Sequence, residues 1–115
     1  MNSLLIKSKQ ISISPRKMLL VADLIRNKEV VPSLYYLQNA PQKPSRIIFK
    51  ILQGAYKQLI NNNKEDENFL NKTIFIDMIK VDKGIIRKKI FFRAKGRADT
   101  IKQRKCHLTI SLLAK

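Results

Sequence analysis

The segment Arg87–His107, reading RKKIFFRAKGRADTIKQRKCH, sets nine lysines and arginines and one aspartate among bulky apolar residues. It restricts the fold more than any other part of the chain. Taking an unpaired ammonium or guanidinium out of water costs on the order of several kcal/mol, so this backbone cannot lie in the chain's own core. Internal pairing offers no way out, because the whole chain holds 24 Lys and Arg against 8 Asp and Glu, a formal net charge of +16. The counter-charge must come from a partner, and nucleic acid is the common polyanion. A membrane surface is the other, but recruitment there uses a basic amphipathic helix or a polybasic run beside a lipid anchor. Neither pattern is present, and no membrane anchor is expected.

The remaining sequence reads as one domain, since 115 residues suffice for a single modest core. The apolar runs Leu4–Ile6 and Met18–Ala22 fall short of the about 7–15 residues of a signal peptide and the about 18 of a membrane helix. The single cysteine, Cys106, rules out an internal disulfide and fits a reducing compartment. Rich usage of Ile, Lys and Asn suggests an AT-rich genome, as in many organelles and some bacteria.

From Leu4 to Ser14 the text LLIKSKQISIS alternates after its first residues and predicts a strand, with Ile6, Ile11 and Ile13 inward. SPRKMLLVADLIRNK then opens as helices do. Ser14 caps, Pro15 suits the first helical position, and Met18, Val21, Ala22 and Ile25 share one face. Asn27 ends it, since Asn tolerates the left-handed conformation of a helix terminus. A short helix through VPSLYYLQ is closed by Pro41, and the longest periodic segment, KPSRIIFKILQGAYKQLINNN, is opened by Pro44. Its stripe is Ile48, Ile51, Leu52, Ala55 and Leu59; Gly54, costly in mid-helix, is explained by a close helix or strand contact. Asn61–Asn63 and the acidic KEDEN close this helix into a solvated turn.

KTIFIDMIKVDKG predicts a strand with Ile74 and Ile76 on one face, after which the phase slips to Ile79 and Val81. Such a slip predicts a β-bulge near Asp77 and Met78. HLTISLL is the last strand, with Leu108, Ile110 and Leu112 inward. The expected fold is α+β, a single compact domain over residues 1–115 with three helices packed on a three-stranded antiparallel sheet. From it a long basic β-hairpin, residues 84–100, protrudes.

Arms of about eight residues, at roughly 3.3 Å each, project on the order of 25 Å. Alternation puts Arg87, Lys89, Phe91, Arg93 and Lys95 on one face of the outgoing arm and Ile86, Lys88, Ile90 and Phe92 on the other. On the return, Lys102 and Arg104 share a face opposite to that of Lys105 and His107, and Gly96 serves the turn. Cations on both faces keep either face off the core. Phosphate fits them, because Arg offers a planar fork and Lys a mobile point charge, while Ile and Phe pack against bases and sugars. RNA is favoured over DNA, since no helix-turn-helix, zinc-finger or leucine-zipper pattern is visible.

Catalysis finds no purchase. The only histidine, His107, adjoins the only cysteine, and neighbouring strand residues point to opposite faces, so they form no nucleophile–base pair. Asp77, Asp82 and Asp99 lack a metal-ligand spacing, and the three glycines form no phosphate loop. No cofactor, metal or catalytic residue is expected.

SPRKMLLVADLIRNK and VDKGIIRKKIFFRAKGRADTIKQRKCHLTI together resemble, in order and spacing, the large-subunit ribosomal protein twenty-two family of bacterial and organellar type. The resemblance spans about Ile11 to Leu112; RAKGRAD, Arg93–Asp99, is its most specific part and LVADLIR, Leu20–Arg26, the next. It implies a structural constituent of the large ribosomal subunit that binds the subunit's RNA, with the hairpin tip in the wall of the nascent-peptide exit tunnel. On that resemblance Arg16, Lys17, Arg26, Lys28, Arg87, Lys88, Lys89, Arg93, Lys95, Arg97, Lys102, Arg104 and Lys105 meet RNA. The tunnel tip is Ile90, Phe91, Phe92, Arg93, Ala94, Lys95 and Gly96.

The implied partners are large-subunit ribosomal RNA, neighbouring ribosomal proteins and the nascent polypeptide, with no homo-oligomer. The implied location is the ribosome of a plastid, a mitochondrion or an AT-rich bacterium's cytoplasm. The chain departs from the family pattern at Leu19, where a basic residue is common, and at Asn27, where glycine is usual. It departs again at Phe91 and Phe92, where proline often precedes the basic run, and at Lys83, where an acid is common. The alternative reading is a free-standing RNA-binding or RNA-chaperone module, which sedimentation with ribosomal particles separates from the first.

Overall fold

The computed structural model describes residues 3–65, 67–92 and 98–115. The chain runs β1 (Ser3–Ile11), α1 (Pro15–Ile25), α2 (Val30–Asn39), α3 (Lys43–Asn62), α4 (Glu67–Leu70), β2 (Ile74–Phe92) and β3 (Ala98–Ala114). The strands form an antiparallel sheet in the order β1-β3-β2. This is the expected α+β architecture, with one addition: the acidic stretch read as a solvated turn contains the one-turn helix α4, which buries Phe69.

Helix α1 forms where its signals lie. The Ser14 Oγ accepts from the Lys17 backbone N–H at 3.5 Å, Pro15 occupies the first turn, and Met18, Val21, Ala22 and Ile25 are buried. Asn27 takes φ 60°, turning the chain out of the helix. The Lys28 carbonyl then accepts from the Ile76 N–H at 2.9 Å, and Glu29 bridges Phe75, so this segment covers part of the free edge of β2.

In α3 the stripe is Ile48, Leu52, Ala55 and Leu59, all fully buried, with Ile51 at its half-buried margin. Buried side chains of this size contribute about 1.5–3 kcal/mol each relative to exposure, so this face holds α3 against β1 and α2. Gly54 does not sit at a close contact. It is exposed, and a Cβ added there would meet nothing within 4 Å.

The central strand β3 supplies Cys106, Leu108, Ile110 and Leu112 to the core, all at 0% exposure. Opposite them on β2 lie Ile76, Ile79 and Val81, and the register jumps between Ile76↔Leu112 and Met78↔Ser111. Asp77 is the extra residue. It shifts the phase of β2 by one, which is why Ile76 and Ile79 both reach the core.

Strand β1 ends at Ile11, short of the expected Ser14, because a second bulge ends it. Two residues between Ser8 and Ile11 oppose the single residue between Leu108 and Cys106, and Gln10 takes φ 56°. A left-handed non-glycine residue costs roughly 1–2 kcal/mol, offset in part where the Gln10 N–H donates to His107 Nδ1 at 3.1 Å. The kink puts Ile11 and Ile13 into the core on the side already lined by Ile6.

Beyond Cys106 the sheet has only two strands. Pairing of β2 with β3 continues from Ile86↔Arg104 through Phe92↔Ala98, past the last residue that β1 contacts. The passage from three strands to two is marked by a third bulge, where Lys83↔Cys106 gives way to Ile86↔Arg104. Gly84 lies in it, and a Cβ there would stand 3.0 Å from the Lys105 carbonyl carbon and oxygen and 3.2 Å from Gln10 Oε1. A 115-residue globule has a radius of gyration of about 13 Å; this chain has 17.8 Å and extents of 69 × 24 × 18 Å.

Candidate nucleic-acid interface

Two groups of basic residues are brought together, one on the two-stranded ladder and one where α1 and α3 begin beside its root. On the ladder the register opposes Arg87 to Gln103, Lys88 to Lys102 and Lys89 to Ile101. Ile90 opposes Thr100 and Phe91 opposes Asp99. For Arg87, Lys88, Lys89, Ile90, Phe91, Phe92 and Lys102 the register is what the backbone settles. Arg93, Ala94, Lys95, Gly96 and Arg97 lie outside the described residues. Lys88 against Lys102 is a like-charge pair with no carboxylate in either position, an arrangement that destabilises a free ladder.

The second group surrounds a half-open cleft of about 470 Å³ beside the root of the ladder. Lys17 comes from the first turn of α1, Lys43 and Pro44 from the first turn of α3, and Gln103, Arg104 and Lys105 from β3. Ser12, Ile13 and Ser14 complete the wall. No carboxylate lines it. Neither α1 nor α3 has an acidic residue in its first turn, although the positive end of a helix dipole favours acids there by about 0.3–1 kcal/mol. Both helices carry cations at that end instead.

The structure therefore brings together Lys17, Arg104 and Lys105 from the sequence-predicted set and adds Lys43, which sequence reasoning missed. The available signal was a helix opened by Pro44 with lysine and arginine, and no acid, around its start. Arg16 is exposed on α1, and Lys28 is exposed after it.

Arg26 is engaged within the chain. Its guanidinium donates to Asp23 Oδ1 from Nη2 at 3.0 Å and from Nε at 3.3 Å, and to the Ile79 carbonyl from Nη1 at 2.6 Å. It ties the end of α1 to the middle of β2, 53 residues away. The other ion pair among the described residues is Lys80–Asp82 at 3.8 Å, on the surface.

Cys106 and His107 do point apart. Cys106 is fully buried, and burial raises its thiol pKa, so it stays protonated and inert at neutral pH. His107 is half-buried and accepts from Gln10. Among the described residues no three His, Cys, Asp or Glu side chains gather as metal ligands, and no helix is long and apolar enough to cross a membrane.

A small α+β sheet domain, strongly basic, with a two-stranded extension and a carboxylate-free cationic cleft at its root, has the charge distribution that suits a polyanionic partner. The chain belongs to the family described as ribosomal protein L22p/L17e, which matches residues 6–113. It is similar to the large ribosomal subunit protein uL22 of Borreliella afzelii, 37% identical over 106 residues that cover 92% of this chain and 86% of that one. The uL22 proteins of Phytoplasma mali, at 38% over 104 residues (90% and 76%), and Fusobacterium nucleatum, at 37% over 102 residues (89% and 88%), are comparably similar. The chain is accordingly a structural constituent of the large ribosomal subunit and works in translation, not as an enzyme.

Proposed function

We propose that the chain holds large-subunit ribosomal RNA with the ladder and the cationic cleft, and that the hairpin, residues 84–100, projects through RNA so that its tip borders the nascent-peptide exit tunnel. The observation that carries this reading is the ladder itself. It continues the pairing of β2 and β3 beyond the reach of β1, to Phe92↔Ala98. Along it the sequence has nine cations and one aspartate from Arg87 to His107. A two-stranded ribbon with no third strand beside it has little stability of its own in water; RNA phosphates on both faces supply the missing contacts. Arg16, Lys17, Lys28, Arg87, Lys88, Lys89, Lys102, Arg104 and Lys105 take the phosphate-facing roles, with Arg93, Lys95 and Arg97 at the tip. Arg26 serves the fold first, through Ile79, and has only its remaining exposed edge for RNA. Neighbouring ribosomal proteins and the passing nascent chain complete the surroundings.

Phe91 and Phe92 test the tunnel role. Removing a ring that stacks on a base costs about 1–3 kcal/mol, whereas a cross-strand brace is worth roughly 0.2–1 kcal/mol. Large subunits assembled with Phe91→Ala or Phe92→Ala are expected in normal yield, with altered passage of a stalling peptide and altered macrolide sensitivity. Poor yield with unchanged stalling and sensitivity in both variants would reduce the hairpin to an RNA scaffold.

A further inference from the structure

We propose that the cleft between the starts of α1 and α3 and the root of the ladder is a clamp for adjacent phosphates of one RNA strand, with Lys43 as a principal contact. The proposal rests on the RNA-binding reading above and adds to it a defined site and a residue on a different element from those already assigned.

Four cations from three elements, Lys17, Lys43, Arg104 and Lys105, line one cleft of about 470 Å³, with no acidic residue among its walls. Lys17 and Lys43 stand 26 positions apart, and Lys43 and Arg104 stand 61 apart, so only the fold assembles them. Charges of one sign gathered around a concavity repel in the free protein and focus the potential on the space between them. The positive dipole ends of the two helices add to the effect in the same direction, because the first turns of α1 and α3 line the cleft.

The hydroxyls of Ser12 and Ser14 and the amide of Gln103 provide neutral donors beside the cations. That combination suits phosphate oxygens, which accept from guanidinium, ammonium and hydroxyl together. The position fits a strand rather than a small metabolite. The cleft opens where the ladder leaves the sheet, at the bulges of Gln10 and Gly84. A phosphate backbone lodged there would bridge helix starts and ladder root, and so fix the angle at which the ladder leaves the domain.

The test measures acylation of individual lysines by mass spectrometry. It compares the free chain, the chain bound to its large-subunit RNA, and the free chain with inorganic pyrophosphate at equal phosphate concentration. RNA is expected to protect Lys17, Lys43 and Lys105. In parallel, Lys43→Gln is expected to lower the slope of log K against log salt by about 0.7–0.9, the share of one phosphate contact, and Lys43→Arg to restore it. Lys43 is exposed, so the variants fold, as a thermal melt will verify. Protection by RNA, whether or not pyrophosphate also protects, upholds the clamp. Lys43 left reactive by bound RNA, or an unchanged slope in Lys43→Gln, would overturn it while leaving the RNA-binding reading intact. Protection by pyrophosphate and not by RNA would assign the cleft to a free anion, and also overturn it. Failure of the full chain to bind the RNA at all would sink both.

Discussion

The three-stranded part of the sheet and the two-stranded ladder are made by the same two strands, yet they are held by different means. On the sheet side of Cys106, β3 has a partner on each edge and a helical layer over Leu108, Ile110 and Leu112, so apolar burial fixes both register and phase. On the ladder side β1 has ended, and the sequence turns to cations. What differs is the source of the counter-surface: the chain supplies it in one region, and in the other the proposed RNA partner would supply it. Two bulges, at Gln10 and Gly84, stand at the boundary, and each is a place where the backbone rather than a side chain settles the geometry.

The largest expected effect is in the core. Leu52→Ala removes a fully buried side chain from the middle of α3 and should cost about 2–5 kcal/mol, read as a drop in the urea midpoint. Glutamine at Arg87 and Lys89 should leave that midpoint nearly unmoved. A midpoint that falls equally in both variants would abolish the distinction between the two regions.

Gly84→Val tests the boundary. Its Cβ would press on the Lys105 backbone at 3.0 Å, and backbone in a paired strand yields little, so a loss of about 1–3 kcal/mol is expected. The ladder would leave the sheet at a changed angle, and RNA binding should weaken even though no cation is removed. Unchanged stability and binding would show that the bulge tolerates a side chain and does not aim the ladder.

A loss of similar size is expected from Arg26→Gln, which removes the charged donor to the Ile79 carbonyl. Hydrogen bonds to charged groups contribute about 1.5–3 kcal/mol, and the half-exposed ion pair with Asp23 adds little. Denaturation of the free chain measures it. A variant of wild-type stability that binds RNA less tightly would move Arg26 from the fold to the interface.

The smallest effect carries the clearest sign. Lys88 and Lys102 face each other in the register, so Lys88→Gln should stabilise the free chain by roughly 0.2–1 kcal/mol while weakening RNA binding and flattening its salt dependence. Losses in both would mean that the ladder's charges are satisfied within the chain.

Much of this protein was legible in the chain itself, because periodicity, capping and charge are local. The buried face of α1, the Ser14 cap and the turn at Asn27 follow from residues within a few positions of one another. The bulge at Asp77 could be read as a slip in an apolar alternation, since a strand has only two faces. Charge excess required a polyanion without saying which residues would meet it. The tertiary structure decided the rest. It committed Arg26 to a carbonyl 53 residues away, pressed Gly84 against Lys105, left Gly54 without the neighbour its position in a helix had suggested, and set Lys43 beside Lys17 and Arg104. Each of these depends on which distant segments come within a few ångströms of each other. A one-dimensional pattern carries no record of that, because the hydrophobic burial that brings the segments together is non-directional and sums over the whole core.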